Sequence, residues 1–197
     1  LEYDDPEHAQ HRKILAEAVG ARVVPKLEKM IRSKARHLLA SIEGNILDLG
    51  EEYAFRLPLD VMFEVIGAPD HLKEEVEEIA GAIFIYRTPL PDGRNAGQRL
   101  EEILTEMVKE CEANPREDWL TAIVSRSCPH SQSLTDTEVK GALLTLLVGG
   151  PHSTVRVASS LVAQLVGDEA LQKKLREDPS LIPDAVNEAV RMYVPLG

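Results

Sequence analysis

Leu146-Leu147-Val148-Gly149-Gly150-Pro151-His152-Ser153-Thr154 lies inside the longest helical pattern of the chain, Asp136 to Val166, and its reading decides the fold. The residues before it, Ala142 to Val148, are almost continuously apolar, so this helix has to be buried on most sides. Two glycines and a proline cost a helix interior about one kcal/mol per glycine and about three for the proline. An interruption is therefore predicted at Gly149-Gly150-Pro151, and two physical reasons can retain it. Small residues let a neighbouring helix pack closely, or they let the backbone approach a flat ligand while the proline frees a carbonyl of the preceding turn. The polar run His152-Ser153-Thr154 beside the gap suits proton relay, because imidazole and hydroxyl groups both donate and accept.

Outward from this centre the pattern is helical in both directions. Upstream, Asp5-Pro6-Glu7 is a helix start, with Asp5 as cap, and predicts a helix from Pro6 to Ala18. A second helix begins near Val23 and carries Val23, Leu27, Ile31, Ala35, Leu38 and Ile42 on one apolar face, ending by Gly44. Ile46 to Leu49 reads as a short extended link before a helix over Tyr53 to Ile66. Gly67-Ala68-Pro69-Asp70 ends that helix and caps the next, His71 to Tyr86, where Glu74, Glu75, Glu77 and Glu78 read as a solvated face. Thr88 to Gly93 is a loop, Gly97 to Ala113 a helix with Leu100, Ile103, Leu104, Met107 and Val108 inward, and Trp119 to Val124 a shorter one before a polar loop from Ser125 to Ser133. Downstream, helices run from Asp168 to Glu177 and from Pro183 to Tyr193. No alternating strand pattern or internal repeat occurs, so the class is all-α, helix-dominated, and one domain over residues 1–197.

Composition narrows the function classes. Hydrophobic residues make up 44% and charged residues 28% of the 197, enough for a folded core. A net charge of -11 repels nucleic acid phosphates and anionic lipid, and no stretch is apolar enough to cross a bilayer, so a cytoplasmic protein with neither nucleic acid nor membrane as partner is expected. Cys111 and Cys128 have no metal-binding or disulfide spacing and are read as free thiols. His8 and His11 lack a third ligand, so no metal site is expected. His37, His71 and His130 read as surface residues.

Two further motifs carry side-chain chemistry. His8 and Arg12 stand at i and i+4 and can together donate to an anion. Glu188-Ala189-Val190-Arg191 places a carboxylate and a guanidinium on one helical face, where they can pair and leave arginine donors to spare.

Taken in order, these segments resemble the central portion of bacterial cytochromes P450, from Asp5 to Pro195. The resemblance implies a P450-like helical core without most of the family's β-sheet, with haem as cofactor. It also implies that Gly149 and Gly150 lie over the haem, that Ser153 delivers protons, that His8 and Arg12 meet the haem propionates, and that Glu188 and Arg191 form a buried structural pair. His152 stands where the family has an acid, with Pro151 before it and Thr154 after the hydroxyl residue. Arg87, Arg94 and Arg99 flank the loop between the two helices that lid the family's substrate pocket. The implied activity is haem-thiolate monooxygenation of a small apolar molecule, with a ferredoxin-type redox partner. The cysteine-bearing loop that holds the iron has no counterpart in the 197 residues. Two alternatives follow from that: a haem-free homologue reused as a cyclase or isomerase in natural-product biosynthesis, and an auxiliary protein that stabilises another enzyme.

Overall fold

A computed structural model describes residues 4–20, 23–42, 44, 46, 48–86, 90, 95–126 and 134–192, with the backbone only for 84–86. Arg87, Arg94, the Thr88 to Gly93 loop apart from Leu90, most of the Ser125 to Ser133 loop with Cys128 and His130, and Tyr193 to Pro195 lie outside the described residues. Among those described there is no strand: the architecture is all-α. The α-helices are α1 (Glu7–Val19), α2 (Val24–Ala40), α3 (Arg56–Ile66), α4 (Lys73–Ala80), α5 (Ala96–Ala113), α6 (Trp119–Val124), α7 (Asp136–Leu144), α8 (Gly150–Gly167), α9 (Glu169–Glu177) and α10 (Ile182–Met192).

Helix boundaries follow local chemistry. Asn95 accepts from the amides of Gly97 and Gln98 to start α5, Asp118 from Thr121 to start α6, and Asp168 from Leu171 to start α9. Thr135 and Glu138 form a full capping box at α7. α3 ends at Gly67, whose φ of 81° is the left-handed conformation of a C-terminal glycine, and a Cβ there would also strike the Asp118 side chain. At α1 the expectation differs from the structure: Pro6 holds the cap position without a side-chain bond, and the Asp5 carboxylate lies 3.8 Å from the His8 ring. Asp70 likewise makes no cap; a single 3-10 turn, Asp70–Leu72, precedes α4.

The core is built from Phe63 and Ile66 of α3, Val76 and Ile79 of α4, Ile103 and Met107 of α5, Leu120 and Ile123 of α6, and Val139, Leu143 and Leu147 of the central helix. α2 contributes less, since none of its residues is fully buried. The acidic run on α4 is not the simple solvated face its sequence suggests. Glu74 and Glu78 are exposed, whereas Glu75 and Glu77 are half-buried, and burial pushes the Glu77 carboxyl up from its ordinary range. Glu75 is held by Arg99 of α5 through two bonds of 2.5 and 2.6 Å, so Arg99 joins α4 to α5. His71 is not an isolated surface residue either: its Nε2 lies 3.5 Å from Glu106 and 3.6 Å from Glu110 on α5.

Candidate functional site

The central helix does not break where two glycines and a proline predict. It widens into one π-helical segment, Thr145–Gly149, and continues as α8. The reason is hydrogen-bond bookkeeping: Pro151 has no amide proton to give to the carbonyl four residues back, and the wider turn shifts the register there, with the Gly150 amide bonding the Thr145 carbonyl. Thr145 Oγ1 also donates to the Gly141 carbonyl at 2.8 Å. Such π segments inside α-helices are frequent at functional sites.

This register sorts the residues of the motif into two faces. Gly149, His152 and Ser153, at i, i+3 and i+4, share one face. Gly150, Pro151, Thr154 and Ala158 share another and line an apolar cavity of about 270 Å³ against Ile31 of α2 and Met62 of α3. Thr154 is therefore not brought together with His152 and Ser153. Close helix packing accounts for part of Gly150, whose added Cβ would sit 3.5 Å from Met62 Cε. It does not account for Gly149, where a Cβ would meet nothing within 4 Å. Both glycines are exposed, His152 and Ser153 are half-buried, and nearby Leu144 is an exposed apolar side chain on an otherwise buried stretch.

The other motif residues occupy the two helices that flank this one. α1 packs on α7, and α10 on α8. α1 turns His11, Ile14 and Ala18 inward and leaves His8 and Arg12 exposed one turn apart. On α10, Arg191 grips Glu188 through Nε at 2.7 Å and Nη2 at 2.6 Å, and this bonding holds the Glu188 carboxyl below its ordinary range. The pair is formed, but it is not buried: the side chains are 57% and 67% exposed, because nothing among the described residues covers that face of α10.

Sequence spacing gave no sign of two features. Among the described residues His11 is the buried polar side chain of the core, 4% exposed, with Nε2 3.3 Å from Glu138 Oε1. A second surface, a groove of about 490 Å³, runs between α2, α8, α9 and α10 and is lined almost wholly by apolar side chains, including Leu39, Leu161, Val166, Ile182 and Val186.

The arrangement can be compared with what a haem requires. An open glycine on a buried helix is a face that a flat apolar group can approach, and two exposed cationic or hydrogen-bonding side chains on α1 suit carboxylates. The chemistry of these residues suits the face and the carboxylates of a haem, while no cysteine among the described residues is placed to hold its iron. Cys111 is buried between α5 and α6, burial pushes its thiol up, and its Sγ donates to Thr121 Oγ1 at 3.4 Å, so it is held as a thiol in the core. Among the described residues no cluster of His, Cys, Asp or Glu could hold a metal ion, and no helix is long and apolar enough to cross a membrane.

No family model matches the chain. Individual relatives do. Cytochrome P450 107B1 of Saccharopolyspora erythraea is 30% identical over 198 residues, covering all of this chain and 48% of that protein. Nocardicin C N-oxygenase of Nocardia uniformis is 32% identical over 203 residues, again across the whole chain and 50% of the relative. Ligand-free CYP105P1 superimposes with a TM-score of 0.83 at 30% identity, over 96% of this chain and 49% of that one. Across its whole length the chain is similar, in sequence and in fold, to part of a cytochrome P450. It spans about half the length of the P450 relatives it matches. Vitamin D(3) 25-hydroxylase of Pseudonocardia autotrophica is a further P450-like relative, 28% identical over 98% of the chain and 48% of the relative.

Proposed function

We propose that these residues form the helical, haem-facing part of a bacterial P450 monooxygenase that oxidises a small apolar molecule, folded as one helical domain over residues 1–197. The observation that carries the reading is Gly149: an exposed glycine on an apolar central helix, at a π segment, with no neighbour that requires it to be glycine. The names of the relatives, hydroxylases and oxygenases, support the reaction class. Haem, when bound, supplies oxygen activation through an iron–thiolate centre, whose cysteine would come from sequence outside these 197 residues.

This chain's own residues then take the following roles. Gly149 keeps the helix low enough for the flat group to approach, while Gly150 lets the same helix sit close to Met62. His8 and Arg12 hold its carboxylates by donating from adjacent turns of α1. Ser153 and His152, on the same face as Gly149, hold and pass a proton toward it. Glu188 and Arg191 brace α10 as a structural pair. A ferredoxin-type protein would deliver electrons, and the protein would act in the cytoplasm.

A second reading is favoured by one residue pair. His152 replaces the family's acid and follows Pro151, so a haem-free homologue working as a cyclase or isomerase keeps the pocket without the oxygen chemistry. An absorption spectrum of the purified protein, reduced under carbon monoxide, separates the two. A Soret band of any kind supports the haem-binding reading. Its complete absence overturns haem chemistry for this polypeptide and leaves the second reading.

A further inference from the structure

The chain carries a net charge of -11, yet α2 alone holds five basic side chains and a single acidic one, Glu28. A helix chosen only for solubility in so acidic a protein would be expected to share the general excess of carboxylates. α2 also buries none of its residues fully, so its basic side chains are not stems covering a core.

Their pairing separates two groups. Arg32 is taken by Glu28 at 2.9 Å, and Lys34 by Glu64 of α3 at 2.6 Å. On the adjoining groove wall Asp60 is taken by Lys73. The nearby carboxylates are thus already neutralised. Lys26, Lys29 and Arg36 remain exposed and make no ion pair among the described residues. They stand at i, i+3 and i+10, which puts them along one side of the helix over about 15 Å at 1.5 Å per residue. His37 lies on the same side and lines, with Lys26 and Lys29, a groove of about 590 Å³ that α2 forms with α3.

We infer that this face of α2 docks an acidic protein, through carboxylates spaced along one helix or edge that match Lys26, Lys29 and Arg36. Charge complementarity decides the kind of partner. The stripe is local, and a long polyanion such as nucleic acid would extend beyond it into the field of a net charge of -11. A compact acidic protein surface can engage the stripe and stay clear of the rest. Local complementarity of this sort speeds association and fixes register, and it weakens with salt. The inference goes beyond the proposed reaction and does not depend on haem, so its test and the carbon monoxide spectrum can fail separately.

The probe is a fluorescently labelled Glu/Ala helical peptide of roughly 15 residues, long enough to overlay the stripe, titrated with the full chain by anisotropy at low and at physiological salt. Wild type is expected to bind with an affinity that falls with salt. The K26E/K29E/R36E variant should bind at least about tenfold more weakly, and K26A/K29A/R36A should lie between them. The K173E/K174E variant on α9 should match wild type, with far-UV circular dichroism confirming that every variant keeps its helices. No binding by wild type, or unchanged binding by the triple variants, overturns the assignment. So does tighter binding of phosphatidylserine vesicles or of duplex DNA through the same three residues.

Discussion

His11 of α1 and Glu138 of α7 meet inside the protein, Nε2 to Oε1 at 3.3 Å, and the other oxygen of Glu138 accepts from both the amide and the hydroxyl of Thr135 at 2.7 Å. One carboxylate therefore closes the N-terminus of the central helix and fastens to it the helix that carries His8 and Arg12. Losing it removes a capping box, worth about 1 kcal/mol, and strips a partner from a buried imidazole, worth about 1–3 kcal/mol. Glu138→Ala should lower unfolding stability by about 2–3 kcal/mol in urea, while Glu138→Gln, which keeps acceptor and donor in place, loses less. Equal losses for the two would show that the charge, not the hydrogen bonding, matters.

The same carboxylate gives a pH dependence of known sign. The Thr135 hydroxyl, then the Thr135 amide, then His11 hold the Glu138 carboxyl below its ordinary range in the folded state. A depressed folded value means stability that is present above the unfolded value, about 4.3 for glutamate, and is lost as pH falls through the folded one. The stability gap between wild type and Glu138→Gln should therefore shrink as urea titrations are taken from neutral pH to below about pH 4. A gap independent of pH across that window would contradict the assignment.

Why the sequence disclosed some of this and not the rest is a matter of range. Glu188 and Arg191 are three residues apart on a helix, so their pairing follows from spacing alone. The apolar run to Val148 announces a buried helix in the same way. Gly149-Gly150-Pro151 announces a disturbance, but a π turn and a break present the same residues, and only the register of Gly150 to Thr145 distinguishes them. His11 to Glu138 and Arg99 to Glu75 join separate helices, and no local period contains them. The exposure of Glu188 and Arg191 was also out of reach, because burial depends on what packs over α10.

Arg99 makes the clearest test of a joint between helices. Its guanidinium spans both oxygens of Glu75 on α4 and also reaches Glu102 at 3.0 Å, from a side chain only 19% exposed. The two carboxylates hold it more firmly protonated than an ordinary arginine. Arg99→Ala should cost about 1–3 kcal/mol, and Arg99→Lys should recover little of it, because an ammonium cannot span both oxygens. Urea denaturation of the two variants, with Glu75→Gln completing a double-mutant cycle, measures the coupling; a coupling near zero would show the joint to be idle.

The groove between α2 and α8 to α10 exposes apolar surface, with Val166 65% and Ile182 47% exposed. Contiguous apolar surface of this kind binds apolar dyes and promotes self-association. The 197-residue chain should enhance anilinonaphthalene sulfonate fluorescence and sediment heavier than 21.8 kDa at raised concentration. Val166→Glu with Ile182→Glu should reduce both, at a stability change within about 0.5 kcal/mol because both sites are exposed. Dye binding unaffected by the pair would mean the groove is closed in solution.

Gly149 allows stability and function to be set against each other at one atom. Its backbone has φ -71° and ψ -34°, ordinary helical values that any residue adopts, and a Cβ there would meet open space. Structure alone thus gives no reason for glycine, and helix propensity argues against it by about 0.8–1 kcal/mol relative to alanine. Gly149→Leu should therefore leave the chain as stable as wild type or raise its urea midpoint by the equivalent of about 0.5–1 kcal/mol. If the open face exists for a flat cofactor, the same leucine would occupy the approach, and any haem absorbance of the wild-type protein should disappear while the midpoint holds or rises. A variant that is more stable and keeps its haem spectrum would remove Gly149 from the site; one that is destabilised would show that the position is not open in solution.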